Sequence, residues 1–180
     1  HPSQGDSGRA RSNDSYNIDM WNAYSSEGTY TNFVGITQDS LGGAFNYMGL
    51  GHDSITGSRK YAVVQILENA VTVPLQGQKI SLSFSAEYKT TNLSSSGLSA
   101  GILCSNGAAT ANAPSAVYST VPTLGANWGL LASVNTGLLL PTWKTLYLEN
   151  VSIPNSCKNI AVTFWTPGSS EAVNSTWLIA

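Results

Sequence analysis

The stretch Lys79 to Lys89, "KISLSFSAEYK", alternates without a break. Ile80, Leu82, Phe84, Ala86 and Tyr88 fall on one side, and Ser81, Ser83, Ser85 and Glu87 on the other. A period of two is the signature of a strand with one face in a core and one face turned away from it. Shorter runs of the same kind recur in "NFVGITQ", "AFNYMGLG", "KYAVVQILEN", "GLSAGILC", "WKTLYLENVSI", "NIAVTFW" and "NSTWLIA". Between them stand clusters of Gly, Asn, Ser and Pro; in "AVTVPLQGQ", Pro74 and Gly77 mark a turn. About nine strands are expected, with no capped segment of helical spacing, which predicts an antiparallel all-β sandwich or barrel.

In "NIAVTFW", Ile160, Val162 and Phe164 make the core face and leave Ala161, Thr163 and Trp165 on the other. A large aromatic opposite a core face covers a second layer, seals a subunit interface or offers a platform to a ligand. In "WKTLYLE", Leu146 and Leu148 face inward and Trp143, Thr145 and Tyr147 face out. If these two strands are neighbours in one sheet, Trp143, Tyr147 and Trp165 form one aromatic patch. Exposed, such a patch is a binding surface or an interface, because monomers seldom expose a large contiguous apolar area. Coverage by the connection from Ser105 to Thr142, or burial between subunits, is favoured over an open platform.

That connection is rich in Ala, Asn, Pro, Ser and Gly, and it accommodates short strands around Val117 to Val121 and Leu130 to Val134. Within it Trp128, in "GANWGL", reads as a loop aromatic able to reach a ligand. Tyr24 and Tyr30, in "NAYSSEGTY", are weaker loop candidates of the same kind.

Only 10% of the 180 residues are charged, against roughly 25% in an average protein. Eight basic residues spread along a chain of net charge -2 argue against nucleic acid, which needs clustered Lys and Arg. The longest apolar runs, "AVVQIL" and "GLLLP", fall far short of the ~20 residues of a membrane-spanning helix. No signal-peptide pattern opens the chain; starting on His1, it reads as a processed product or a fragment, which leaves an extracellular place open. Residues 1–15 look like a polar arm or linker, and 16–180 like one domain. Cys104 and Cys157 lack CxxC spacing; two unpaired thiols are favoured over a single bridge.

Catalysis has little material. There are ten carboxylates and two histidines, and a general acid and base must converge in a pocket. His52, Asp53 and Ser54 are adjacent in "GLGHDSITG", but neighbours in an extended segment point to opposite faces and cannot form a triad. No motif singles out a glycosidase pair among Asp19, Glu27, Asp39 and Asp53. Neither calcium-loop spacing nor a zinc set occurs, so no metal and no cofactor is expected.

The runs "YAVVQILENAVTVPLQGQKISLSFSAEYKT" and "PTWKTLYLENVSIPNSCKNIAVTFWTPGSSEAVNSTWLIA" resemble the jelly-roll modules, similar to carbohydrate-binding modules, of phage tail fibres, tailspikes and related virion proteins. Gln65 to Glu68 match the family's "QxIE". Leu75, Gly77 and Ile80 to Phe84 match its "LxGxxxTLSFxAK". Thr142 and Trp143 open its "TxWxRxTxTFxVP" strand, Val162 to Gly168 follow "IxFxxxxG", and Trp177 stands in the closing strand. "YNIDMW" is similar to the family's "YxADRW" and makes Trp21 a core anchor. The usual opening "NxxxNGxF" strand and closing "VQLE" are missing, so the calcium that related modules hold near those ends is not carried over.

The resemblance implies an antiparallel β-sandwich of jelly-roll type. It implies a non-catalytic virion module that recognises a host-surface glycan or joins other virion subunits, with a homotrimer and an extracellular, virion location. A purely structural virion domain and a carbohydrate-binding module from a secreted polysaccharide-degrading enzyme are the alternatives. Five Trp and eight Tyr in a surface of Asn, Ser, Thr and Gln suit glycan recognition. The candidate residues are Trp143, Tyr147, Trp165, Trp128, Tyr24 and Tyr30.

Overall fold

The computed structural model describes residues 10–11, 16–18, 21–25, 30–38, 44–52, 61–89, 97–107, 114–137, 142–166 and 175–180. In chain order the first strands are β1 (Ala10–Arg11), β2 (Tyr16–Ile18), β3 (Trp21–Ser25), β4 (Tyr30–Gln38), β5 (Ala44–His52) and β6 (Tyr61–Leu67). A short helix α1 (Asn69–Thr72) and a 3-10 turn (Val73–Leu75) lead into β7 (Lys79–Lys89) and β8 (Ser99–Ser105). There follow α2 (Pro114–Val117), β9 (Tyr118–Thr120), β10 (Thr123–Leu124), β11 (Trp128–Asn135), β12 (Lys144–Ser152), β13 (Asn159–Trp165) and β14 (Ser175–Ile179).

Two six-stranded antiparallel sheets face each other. The first runs β1-β4-β5-β14-β7-β12 and the second β11-β8-β13-β6-β3-β2; β9 and β10 form a separate two-stranded ribbon. The fold is an antiparallel β-sandwich of jelly-roll type, as expected. Strands β7 and β13 occupy the very residues whose alternation announced them. Residues 1–15 are not wholly an arm, since Ala10 and Arg11 pair with Thr31 and Tyr30 at the sheet edge. The two single-turn helices and the 3-10 turn were not anticipated; they are too short to show a period.

The core lies between the sheets. At one end Phe84, Ala86, Tyr88, Trp177 and Ile179 of the first sheet meet Val63, Ala100 and Phe164 of the second. Trp177 is fully buried and packs on Tyr88 at 4.7 Å between ring centroids. Trp21, as expected, is an anchor, 5.5 Å from the Phe164 ring. At the other end Ile102 and Ile160 pack with Leu148, Val151 and Ile153.

Cys104 and Cys157 form a disulfide in this second region, with Cα atoms 5.6 Å apart. This corrects the expectation of unpaired thiols. Register explains it: Cys104 lies opposite Ile160, and the turn before β13 carries Cys157 back under β8. Thr72 stitches the same end, its hydroxyl donating to Leu67 O at 3.0 Å and accepting from Ile160 N at 3.1 Å. At the start of β8, Gly97 has φ +88° and a side chain there would run into the Gly137 carbonyl, so the position requires glycine. In β12 the register slips between Leu148 and Val151, where Asn150 takes φ 56°, a left-handed bulge that Asn tolerates better than most residues.

Candidate functional site

The second sheet has a second apolar layer on its outer face. Ala62, Val64 and Ile66 of β6, Leu103 of β8 and Ala161 of β13 alternate with the inter-sheet core residues and point away from it. A flap formed by α2, β9 and β10 covers them with Val117, Tyr118 and Val121, all at most 1% exposed, and with the half-buried Leu124. A side chain on Gly125 would strike the Ala116 carbonyl, so the flap folds tightly on itself there.

Tyr118 pins the flap. Its hydroxyl lies 2.8 Å from Thr163 Oγ1, and Thr163 gives its own proton to Val63 O at 3.0 Å, so Tyr118 is the donor. Burial pushes the Tyr118 phenol well above its usual range. Tyr24 stacks on Tyr118 with ring centroids 6.1 Å apart, its hydroxyl donating to Ser119 O at 3.3 Å.

Trp165, the last residue of β13, is half-buried against the same layer. Its indole lies across β8: a Cβ on Gly101 would come 2.9 Å from Trp165 Cζ3 and 3.1 Å from Cη2. Ser133 stands opposite Gly101, while Ser99 lies opposite both Trp165 and Asn135. Asn135 Nδ2 donates to Ser99 Oγ at 2.8 Å, and Asn135 Oδ1 accepts from Gly137 N at 2.7 Å, which fixes the amide's orientation. The result is a ledge of indole, hydroxyl and amide groups with no charged side chain among Ser99, Gly101, Ser133, Asn135 and Trp165.

The expected single patch does not exist. Strand β12 is the edge of the first sheet and β13 lies inside the second. Trp143 and Tyr147 therefore belong to one side of the sandwich and Trp165 to the other. Tyr147, 59% exposed, stands opposite Ser83, beside the Ser85–Thr145 hydroxyl pair at 2.9 Å; Trp143, just before β12, is half-buried. Trp128 is not a loop aromatic: it opens β11 and is only 7% exposed, inside the layer under the flap. Tyr24 is in β3, not a loop, and touches the flap. Tyr30 opens β4, and its side chain lies outside the described residues. The same holds for Asp19, Glu27, Asp39, Asp53 and Ser54, whereas His52 closes β5.

Gly101, Ser99 and Asn135 were missed in the sequence. Gly101, a glycine inside an alternating run, was the available signal, since such a residue marks close approach by another group. Among the described residues no group of three or more His, Cys, Asp and Glu gathers to hold a metal ion, and no helix is long and apolar enough to cross a membrane.

No protein-family model and no curated protein sequence matches the chain. Solved structures do share its fold. A carbohydrate-binding module of the β-sandwich superfamily, from a study of promiscuous specificity, is similar over 88% of this chain and 54% of its own, with 8% identity and a TM-score of 0.53. A cleaved adhesin domain of Lys-gingipain from Porphyromonas gingivalis is similar over 96% of this chain and 94% of its own, with 12% identity and a TM-score of 0.50. A xylan-binding domain of carbohydrate-binding-module family 22 covers 97% of this chain and 92% of its own at 14% identity and a TM-score of 0.48. At these identities the likeness is one of fold: a β-sandwich architecture that includes carbohydrate-binding modules.

Proposed function

We propose that this chain is a non-catalytic glycan-binding module and that the ledge around Trp165 is its platform. The observation that carries the reading is the indole lying across Gly101, left partly open by the flap and flanked by the fixed Asn135 amide and Ser133. An aromatic surface packs on the apolar face of a sugar ring, and oriented amides and hydroxyls match its hydroxyl groups. The fold shared with carbohydrate-binding modules supports the reading.

The disulfide supports a place outside the reducing cytosol, which suits both a phage appendage and a secreted polysaccharide-degrading enzyme. The virion setting and the trimer rest on the sequence resemblance alone. The test is an array of neutral and acidic glycans probed with the wild type, Trp165→Ala and Tyr147→Ala. Loss of about tenfold or more in affinity is expected for Trp165→Ala and none for Tyr147→Ala. Capture that survives Trp165→Ala unchanged, or no capture at all, sinks the reading.

A further inference from the structure

At the opposite end of β8 from Trp165, a solvent-open crevice of about 270 Å³ is walled by three segments that meet at the disulfide. Asn106 follows β8, Asn127 and Trp128 lead into β11, and Ser156 belongs to the turn that carries Cys157. Cys104 lines the floor, and Leu130, 49% exposed, forms an apolar lip. Asn106, Asn127 and Ser156 are all exposed, so their amides and hydroxyl are available to a ligand.

We infer that this crevice is a second ligand site, separate from the Trp165 ledge, that takes a single neutral polyhydroxylated or amide-bearing ring, such as one terminal sugar residue. Three features select that class. Among the described residues the lining contains no ionisable side chain, Cys104 being held in the disulfide, which gives a charged ligand no counter-charge. Two amides and a hydroxyl offer both donors and acceptors, while Leu130 and the edge of Trp128 supply apolar contact. The volume falls just below the roughly 300–1,000 Å³ of sites that enclose drug-sized ligands, which suits one ring rather than a chain.

Separation makes the two sites independent. Trp165 lies opposite Ser99 and Trp128 opposite Ser105, six positions along β8, or roughly 20 Å at the usual strand rise. A polymer lying on the ledge and a chain end held in the crevice therefore make different demands on a ligand. The disulfide ties the Asn106 and Ser156 walls together, which helps to preorganise the crevice.

The test is a two-dimensional NMR titration of the intact protein with neutral monosaccharides, N-acetylated ones included, at millimolar concentration. Saturable shifts of the Asn106 and Asn127 side-chain amides are expected. Asn127→Ala should weaken them roughly fivefold to tenfold, the loss of one neutral hydrogen bond, with Trp165→Ala leaving them unchanged. Shifts confined to Trp165, Ser133 and Asn135 would overturn the crevice and leave the ledge standing. Crevice shifts in a protein whose glycan-array capture ignores Trp165→Ala would sink the ledge and keep the crevice. No saturable shift at Asn106 and Asn127 overturns the inference whatever the array shows, and Ser156→Ala, at an exposed position, repeats the comparison should Asn127→Ala fail to fold.

Discussion

Replacing Thr163 with Val should cost more stability than replacing Tyr118 with Phe, although the two side chains share one hydrogen bond. In Tyr118→Phe the donor disappears with the bond, and Thr163 keeps its proton on Val63 O; about 1 kcal/mol is lost. In Thr163→Val the hydroxyl of Tyr118, a residue only 1% exposed, loses its acceptor, and the Val63 carbonyl loses a partner too. An orphaned buried donor costs ~1–3 kcal/mol, so the sum is roughly 2–3 kcal/mol. The double variant removes both members and should cost less than Thr163→Val alone, a coupling of about 1–2 kcal/mol. Urea unfolding followed by tryptophan fluorescence reads this directly: at a slope of about 2 kcal/mol per molar, Thr163→Val moves the midpoint down by roughly 1 M. Equal single costs, or costs that simply add, would refute the claim that Tyr118 donates into a closed pair beneath the flap. The same residue gives an alkaline signature. Its folded pKa is raised above the ordinary 10.0 by burial, so the unfolded chain loses the proton first. Stability from this group is complete below pH 10 and falls as the pH rises further, and Tyr118→Phe should lose that part of the decline.

Further perturbations test other contacts. Cys104 and Cys157 close a loop across 53 residues, so the double alanine variant should lose about 4 kcal/mol in chemical unfolding on the chain-entropy account; a loss under about 1 kcal/mol would mean that the bridge adds little to the packing around it. Gly101→Ala sets a methyl 2.9 Å from the Trp165 ring and 3.1 Å from Ala132 O; it should displace the indole and shift its fluorescence while weakening glycan capture, and an unchanged spectrum would argue against the ledge geometry. Because none of the described ledge residues, Ser99, Gly101, Ser133, Asn135 and Trp165, carries a charge, affinity should vary by less than roughly twofold between low and high salt, as measured by calorimetry; a steep fall would point to ion pairing from elsewhere. Tyr147 is the exposed aromatic of the first sheet's edge strand, and light scattering of Tyr147→Ala checks whether that edge joins subunits: a monomeric wild type, or an oligomer unmoved by the substitution, rules it out.

Much of the sandwich was written locally. Side chains alternate because successive Cβ atoms of a strand point to opposite faces, so β7, β12 and β13 declared their inner residues, Phe84, Leu146 and Phe164 among them, from spacing alone. The odd aromatic out, Trp165, was legible as outward-facing for the same reason. Which sheet each strand joins is a long-range fact. Trp143 and Trp165 are separated in sequence only by β12, a single turn and the rest of β13, yet β12 pairs with β7 and β13 with β6 and β8, which puts them on opposite sides. Local alternation fixes a strand's faces and is silent about its neighbours.

The disulfide, the flap and the ledge were decided at that second level. Cys104 and Cys157 meet because Ile160 is registered opposite Cys104, and Tyr118 is buried because an irregular connection happens to fold back over β6, β8 and β13. Composition and alternation determined that this chain would be a β-sandwich with an amide and hydroxyl surface. Only the tertiary structure decided that Trp165 lies across Gly101 beside Asn135, because a site drawn from several strands exists only once their pairing and register are set.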